Sequence, residues 1–240
     1  MISDDSPLKK LPDALDPKQT LFLDGIRHAA EFAHFAYQRL KDRLTELALR
    51  SREGHSGGNF TEPFLDAWSV VDAIDRLRSL VKLAPGFDHT SASFSSQFLA
   101  QTQSIRLLRN VADHIAQRAD QIVARKGTAL GMLSWVTVKS EEHFMSCTIR
   151  PGTLRTSRTP VINPIEKSIV LPTGLVTLSA GEHSADLTEA MDWAYRMIKS
   201  IEITLEKWLN ENGLSHAPTA ADMLAVCEFV HVPSHEPPSA

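Results

Sequence analysis

Between Lys18 and Glu53 the apolar residues Phe22, Ile26, Ala29, Ala33, Ala36, Leu40, Leu44 and Leu47 recur at steps of three and four. That spacing places them on one face of an α-helix, and at 1.5 Å per residue the helix is roughly 50 Å long. A stripe of that length must be covered by other long elements. Its middle is alanine, so a partner helix can approach closely there. Gly54-His55-Ser56-Gly57-Gly58-Asn59 then breaks the periodicity.

Two more stripes follow. Thr61 reads as an N-cap with Pro63 tolerated in the first turn, and Phe64, Trp68, Val71, Ile74, Leu77 and Val81 form the apolar face, closed by Pro85-Gly86. A third helix is expected from about Phe94 to Lys126, with Phe98, Ile105, Leu108, Ala112, Ile115, Ala119 and Ile122 inward and Gly127 at its end. The last stripe, Leu187, Met191, Ala194, Ile198, Ile201, Leu205 and Trp208, lies between a capping pair, Asp186 and Glu189, and Gly213.

Between these helices the period changes. Leu133–Val138 and Phe144–Ile149 read as a hairpin, and Ser168–Leu171 with Leu175–Ser179 as a second one turning at Pro172-Thr173-Gly174. The chain therefore divides into a loose tail (1–17), a helical core (18–128), a β-rich insertion (129–182), a final helix (183–213) and a C-terminal tail (214–240) holding one short helix, Ala220–Val226. The fold class expected is mainly α: an antiparallel four-helix-type bundle with a small β-hairpin insertion, α+β overall.

Two cysteines, Cys147 and Cys227, cannot build a disulfide framework or a four-cysteine zinc site. Both are expected to be structural. No apolar run reaches the ~18 residues that cross a bilayer, and the polar, acidic start lacks a signal-peptide core. A cytoplasmic protein without a membrane partner is expected. The net charge of −4 is uneven: residues 18–128 carry 15 Lys/Arg against 12 Asp/Glu, and residues 183–240 carry 3 against 9. A general nucleic-acid coat is excluded, whereas a local basic surface is not.

Phosphate-binding glycine loops, the zinc-protease His-Glu-x-x-His and the serine-hydrolase Gly-x-Ser-x-Gly are all missing. The segment with chemical content is Arg109-Asn110-Val111-Ala112-Asp113-His114 on the third helix. It resembles the Arg-x4–6-His signature of the HEPN superfamily, in which a polar residue often follows the arginine. Two other pairs fit the spacing. Arg50–His55 runs into the glycine-rich loop, and Arg27–His34 lies on the opening helix, too early in the order of elements.

The resemblance covers the bundle helices and leaves the β-rich segment outside. It implies metal-independent endonucleolytic cleavage of RNA, of toxin or defence type, at a homodimer seam, with an antitoxin or other protein partner. No cofactor and no metal enter that chemistry. Histidine, which gains and loses a proton near neutral pH, moves protons at the 2′-hydroxyl or the leaving oxygen. Arginine stabilises the extra negative charge of the transition state, and Asn110 orients one or the other. On a continuous helix His114 lies ~7.5 Å along the axis and ~140° around from Arg109. It then projects off the core between Leu107 and Val111, a face suited to a dimer seam. Arg150, Arg155 and Arg158, with no acid between them, are candidate RNA contacts.

Plainer readings stand beside these. Arg109 and Asp113 are spaced for an ion pair, as are Asp72 with Arg76 and Asp75 with Arg78, and either of those acids could instead reach Arg109 across the bundle. A non-catalytic HEPN-like module binding nucleotide, RNA or protein has the same fold. Asp24, His28, Glu31 and His34 suggest half of a di-iron site, but no second Glu-x-x-His completes it, so metal is the least favoured alternative.

Overall fold

Asp16 starts the first helix by accepting hydrogen bonds from the backbone N–H groups of Lys18 and Gln19 at 3.0 and 3.2 Å, satisfying donors that a helix start leaves free. The following Pro17 needs no such partner. In the computed structural model, which describes residues 1–52, 60–84, 92–117, 119–124, 127–140, 143–152, 161–162, 171–214 and 222–228, this helix, α1, spans Pro17–Arg52. Ile26, Ala29, Ala33, Ala36, Leu40 and Leu44 are buried as the stripe requires, with Phe22 and Leu47 at its margins.

Helix α2 spans Thr61–Leu83. Its cap position is Phe60, which supplies no side-chain hydrogen bond, so the Thr61 cap is not observed. Arg43 meets Glu62, Arg39 meets Asp66, and a side chain on Gly25 would touch Leu80 at 3.1 Å. One sequence index rises as the other falls, so α1 and α2 run antiparallel in step. Gly25 and the alanines of α1 permit the close approach.

The expected third helix is three pieces: α3 (Ala92–Gln101), α4 (Gln103–Asp113) and α5 (Ala119–Ala124). The first break is at Thr102, whose hydroxyl bonds back to the Phe98 carbonyl at 2.6 Å. Arg78 of α2, itself buried, donates to the Leu99 carbonyl at 2.6 Å, to the Thr102 hydroxyl and to Gln103 Oε1 at 2.8 Å. A tertiary donor thus takes over the Leu99 carbonyl that a continuous helix would use itself. The second break follows Asp113, and neither has a glycine or proline to announce it.

Four antiparallel strands form one sheet in the order β2-β1-β3-β4: β1 (Met132–Ser140), β2 (His143–Ile149), β3 (Thr173–Ala180) and β4 (His183–Asp186). The first hairpin is as expected. The second turns at Gly181-Glu182 instead of at Pro172-Thr173-Gly174, and Thr173 and Gly174 pair with Thr137 and Val136 of β1. The expected strand at Ser168–Leu171 falls largely outside the described residues. Leu133, Trp135, Ile149, Val176, Leu178 and Ala185 belong to the same hydrophobic core as the helices. The β segment is therefore a wall of that core and not an appendage to it. Tyr37 donates to Thr188 Oγ1 at 2.8 Å and Thr188 accepts from the Val176 amide at 2.9 Å, fastening α1 to β3 and to α6.

Helix α6 (Leu187–Glu211) begins as its capping pair predicts, with Asp186 accepting from the Glu189 amide at 3.0 Å. The N-terminal residues read as a loose tail are packed. Leu8, Leu11 and Leu15 are buried, and the Ser6 hydroxyl donates to buried Glu202 of α6 at 2.6 Å. At the other end, Asp222–Val226 is not helical. Asp222 instead receives two hydrogen bonds from buried Arg27, at 3.1 and 2.6 Å. The architecture is mainly helical, α+β, with one antiparallel sheet.

Candidate functional site

Ile105, Leu108 and Val111 turn one side of α4 into the core. Helical geometry then places Arg106, Arg109 and Asp113 along the flank that meets α2. Arg109 Nε donates to Asp72 Oδ1 at 2.9 Å, and its Nη1 donates to Asp113 Oδ1. Asp72 also accepts from Arg76 at 3.0 Å, so Arg76, Asp72, Arg109 and Asp113 form a chain of alternating charge. One turn earlier Arg106 bonds Asp75 at 2.7 Å, while Arg78 Nε stands 3.9 Å from the same carboxylate. Partial burial works against the Arg109 charge, but the carboxylates of Asp113 and Asp72 outweigh it and hold the guanidinium firmly protonated.

Both plain ion-pair readings are thus realised at once: Arg109 pairs within its own helix and also with α2. The sequence left open whether Asp72 or Asp75 would reach it, and Asp72 does. Arg109 Nη2 has no partner among the described contacts.

His114 is the C-cap of α4, exposed, with its backbone N–H on the Val111 carbonyl at 3.2 Å. Asn110 is half-buried. Among the described residues no hydrogen bond joins Arg109, Asn110 and His114 to one another. The expected seam beside His114 needs correction: Val111 is only 2% exposed, and its methyl groups face Gly181, 3.7 and 3.8 Å from where a Cβ there would stand. Val111 is core.

The exposed apolar face lies elsewhere, on α1 and α2. Phe32, Phe35 and Leu65 are 54%, 65% and 59% exposed, and with Trp68 they line an open groove of about 460 Å³ that reaches Asp72, the carboxylate holding Arg109. Sequence reasoning missed it because Phe32, Phe35 and Leu65 fall outside the buried stripes, while Trp68, placed in the α2 stripe, is only half-buried. Two phenylalanines three apart on the outer side of a helix were the available signal.

Arg150 is half-buried with Nη2 3.2 Å from the Met132 sulfur, whereas Arg155 and Arg158 lie outside the described residues. Of the alternative metal set, Glu31 stands 3.7 Å from both Lys9 and His28, and Asp24 lies 3.9 Å from Arg27. Among the described residues no three of His, Cys, Asp and Glu gather closely enough to hold a metal ion. Cys147 is half-buried, its thiol pushed up by burial, and Cys227 is exposed, so it is no packing residue.

Compared with known proteins, the chain matches no protein-family model, no curated protein and no solved structure. No described helix is long and apolar enough to cross a membrane.

Proposed function

We propose that the chain is a HEPN-like four-helix-type bundle that acts on RNA as a cytoplasmic homodimer and cuts it without metal. The observation that carries this reading is the placement of Arg109 and His114 at the solvent-facing end of α4. Asp72 holds the guanidinium by Nε and Asp113 takes Nη1, which leaves Nη2 without a partner among the described residues, while His114 stands exposed at the C-cap. In this mechanism His114 takes the proton of the 2′-hydroxyl as it attacks phosphorus, or returns one to the departing 5′ oxygen. Arg109 neutralises the extra charge on the phosphoryl oxygens, with Asn110 as the orienting group. The groove of Phe32, Phe35 and Leu65 is the dimer face that brings two motifs together. Activity of toxin or defence type calls for a protein partner that restrains it.

The double pairing of Arg109 favours a second reading, a non-catalytic module that binds RNA, nucleotide or protein. With Nε on Asp72 and Nη1 on Asp113, Arg109 keeps Nη2 for phosphate, and a two-pronged grip requires one carboxylate to be displaced. Asp113, the more exposed of the two, is the one to be displaced.

The deciding experiment is incubation of a mixed RNA pool with the protein in EDTA, comparing wild type with His114→Ala and Arg109→Ala. Cutting by wild type that both variants lose establishes the nuclease. Intact RNA at high concentrations of folded wild type leaves the binding module, which retention of labelled RNA on a filter then measures.

A further inference from the structure

Where the C-terminal end of α1 meets the edge strand β2 there is a cavity of about 460 Å³, a size that suits a small organic ligand. Arg50 and Arg150 both line it, and none of the described residues lining it is acidic. Phe60, which precedes α2 and is 37% exposed, supplies aromatic wall, and Trp135 of β1, only 2% exposed, backs the cavity from the core. Trp135 is fixed in place, its indole N–H donating to Thr137 Oγ1 at 3.1 Å. Cys147, opposite Trp135 in the β1–β2 ladder, also lines the cavity.

The two guanidiniums are weakly committed. Arg50 touches Glu46 at 3.4 Å in a pair that is about half exposed on both sides, the kind that contributes little. The polar contact of Arg150 is a thioether sulfur, a poor acceptor. The carbonyl end of α1 disfavours an anion nearby, and two arginines facing the same space outweigh that effect. A cavity with no acid among its described lining residues, two underused guanidiniums and an aromatic wall selects a ligand with an anionic end and a flat aromatic end.

We propose that this cavity binds a nucleoside phosphate, with the phosphate between Arg50 and Arg150 and the base against Phe60. The ligand is either a free mononucleotide or the phosphorylated terminal nucleotide of an RNA strand. None of these residues belongs to the Arg109 cluster, so the proposal stands whether or not the chain cuts RNA.

The test is calorimetric titration of full-length His114→Ala protein, which keeps cleavage out of the measurement, with AMP, UMP, adenosine and inorganic phosphate. The expected result is one site that binds a mononucleotide at least tenfold more tightly than either phosphate or adenosine. Arg50→Ala and Arg150→Ala, at partly exposed positions and checked for unchanged melting, should each weaken it about tenfold. Phe60→Ala should weaken nucleotide binding and spare phosphate. In a Cys227→Ser background the nucleotide should slow alkylation of Cys147. Competition by a 5′-phosphorylated tetraribonucleotide, matched against its unphosphorylated form, separates the two sources: displacement only by the phosphorylated strand assigns the site to RNA ends, and no displacement assigns it to free nucleotide. No mononucleotide or phosphorylated-strand binding at millimolar concentration, equal affinity for phosphate and AMP, or binding that survives the Arg50→Ala/Arg150→Ala double variant each overturns the proposal.

Discussion

Asp72 on α2 and Arg109 on α4 are joined by a 2.9 Å hydrogen bond from the arginine Nε, although 37 residues separate them in the chain. The bond orients the guanidinium from behind, and Asp113 occupies one of the outward nitrogens. The two acids therefore have different effects on any anion that Arg109 receives. Asp72 positions the arginine, and Asp113 competes for it.

Asp113→Asn should raise RNA affinity about threefold by removing the competing charge, at a cost of about 0.5 kcal/mol or less because the pair is largely exposed. Asp72→Asn should lower RNA affinity, because the guanidinium loses its orientation. Filter binding at fixed salt measures both. Equal effects of the two variants would show that Arg109 is not the anion-binding group.

Arg78→Met should cost about 2–4 kcal/mol in denaturant unfolding. It strips the Leu99 carbonyl of a buried donor and leaves Asp75 with less compensation. Protection from hydrogen exchange around Thr102 should fall together with stability.

Tyr37 makes stability pH-dependent at the alkaline end. Burial pushes its phenol up to about 12 from an ordinary 10.0, against a smaller opposing effect of Thr188. The folded state keeps a proton that the unfolded chain loses above pH 10. The contribution is therefore full below pH 10 and disappears as pH rises through 12. At about 1.4 kcal/mol per unit the wild type should lose about 2–3 kcal/mol more than Tyr37→Phe over that window. Parallel curves for the two proteins would contradict the buried placement of the phenol.

Gly131→Ala and Gly213→Ala separate clash from strain. Both glycines have positive φ, at +85° and +68°. A side chain on Gly131 would stand 2.3 Å from the Ser179 carbonyl oxygen, whereas Gly213 has nothing within 4 Å. The Gly131 variant should lose about 2–4 kcal/mol and the Gly213 variant only about 1 kcal/mol, as thermal melts would report.

Removal of residues 1–15 should destabilise the protein by about 4 kcal/mol or more. Leu8, Leu11 and Leu15 leave the core, each contributing about 1.5–3 kcal/mol on burial, and Glu202 loses Ser6. A truncated chain that melts at the wild-type temperature would restore the loose-tail reading.

Much of the fold was legible. The bounds of α1, α2 and α6 fall within two or three residues of those expected, because a long amphipathic stripe repeats its evidence every turn. Asp186 and Glu189 announced the start of α6 because capping is a local interaction. The N-terminal packing was hidden, since Leu8, Leu11 and Leu15, though three and four apart, make a run too short to stand as a helix stripe and Pro12 falls inside it. The turn at Gly181-Glu182 was hidden as well, because His183-Ser184-Ala185-Asp186 carries little strand signal and is held by pairing with β3.

The site divides in the same way. Helical periodicity alone tells which residues stand together on α4, that Arg109 and Asp113 are one turn apart, and that Leu108 and Ile105 face inward, because each of these is settled within a few residues. Long-range packing set the rest: that Asp72 and not Asp75 holds Arg109, that Arg78 interrupts the long third helix at Thr102, and that Val111 is core while Phe32, Phe35 and Leu65 are open. Each depends on the register and rotation of one helix against another. That relationship is set by the packing of the whole core, and no local window of sequence contains it.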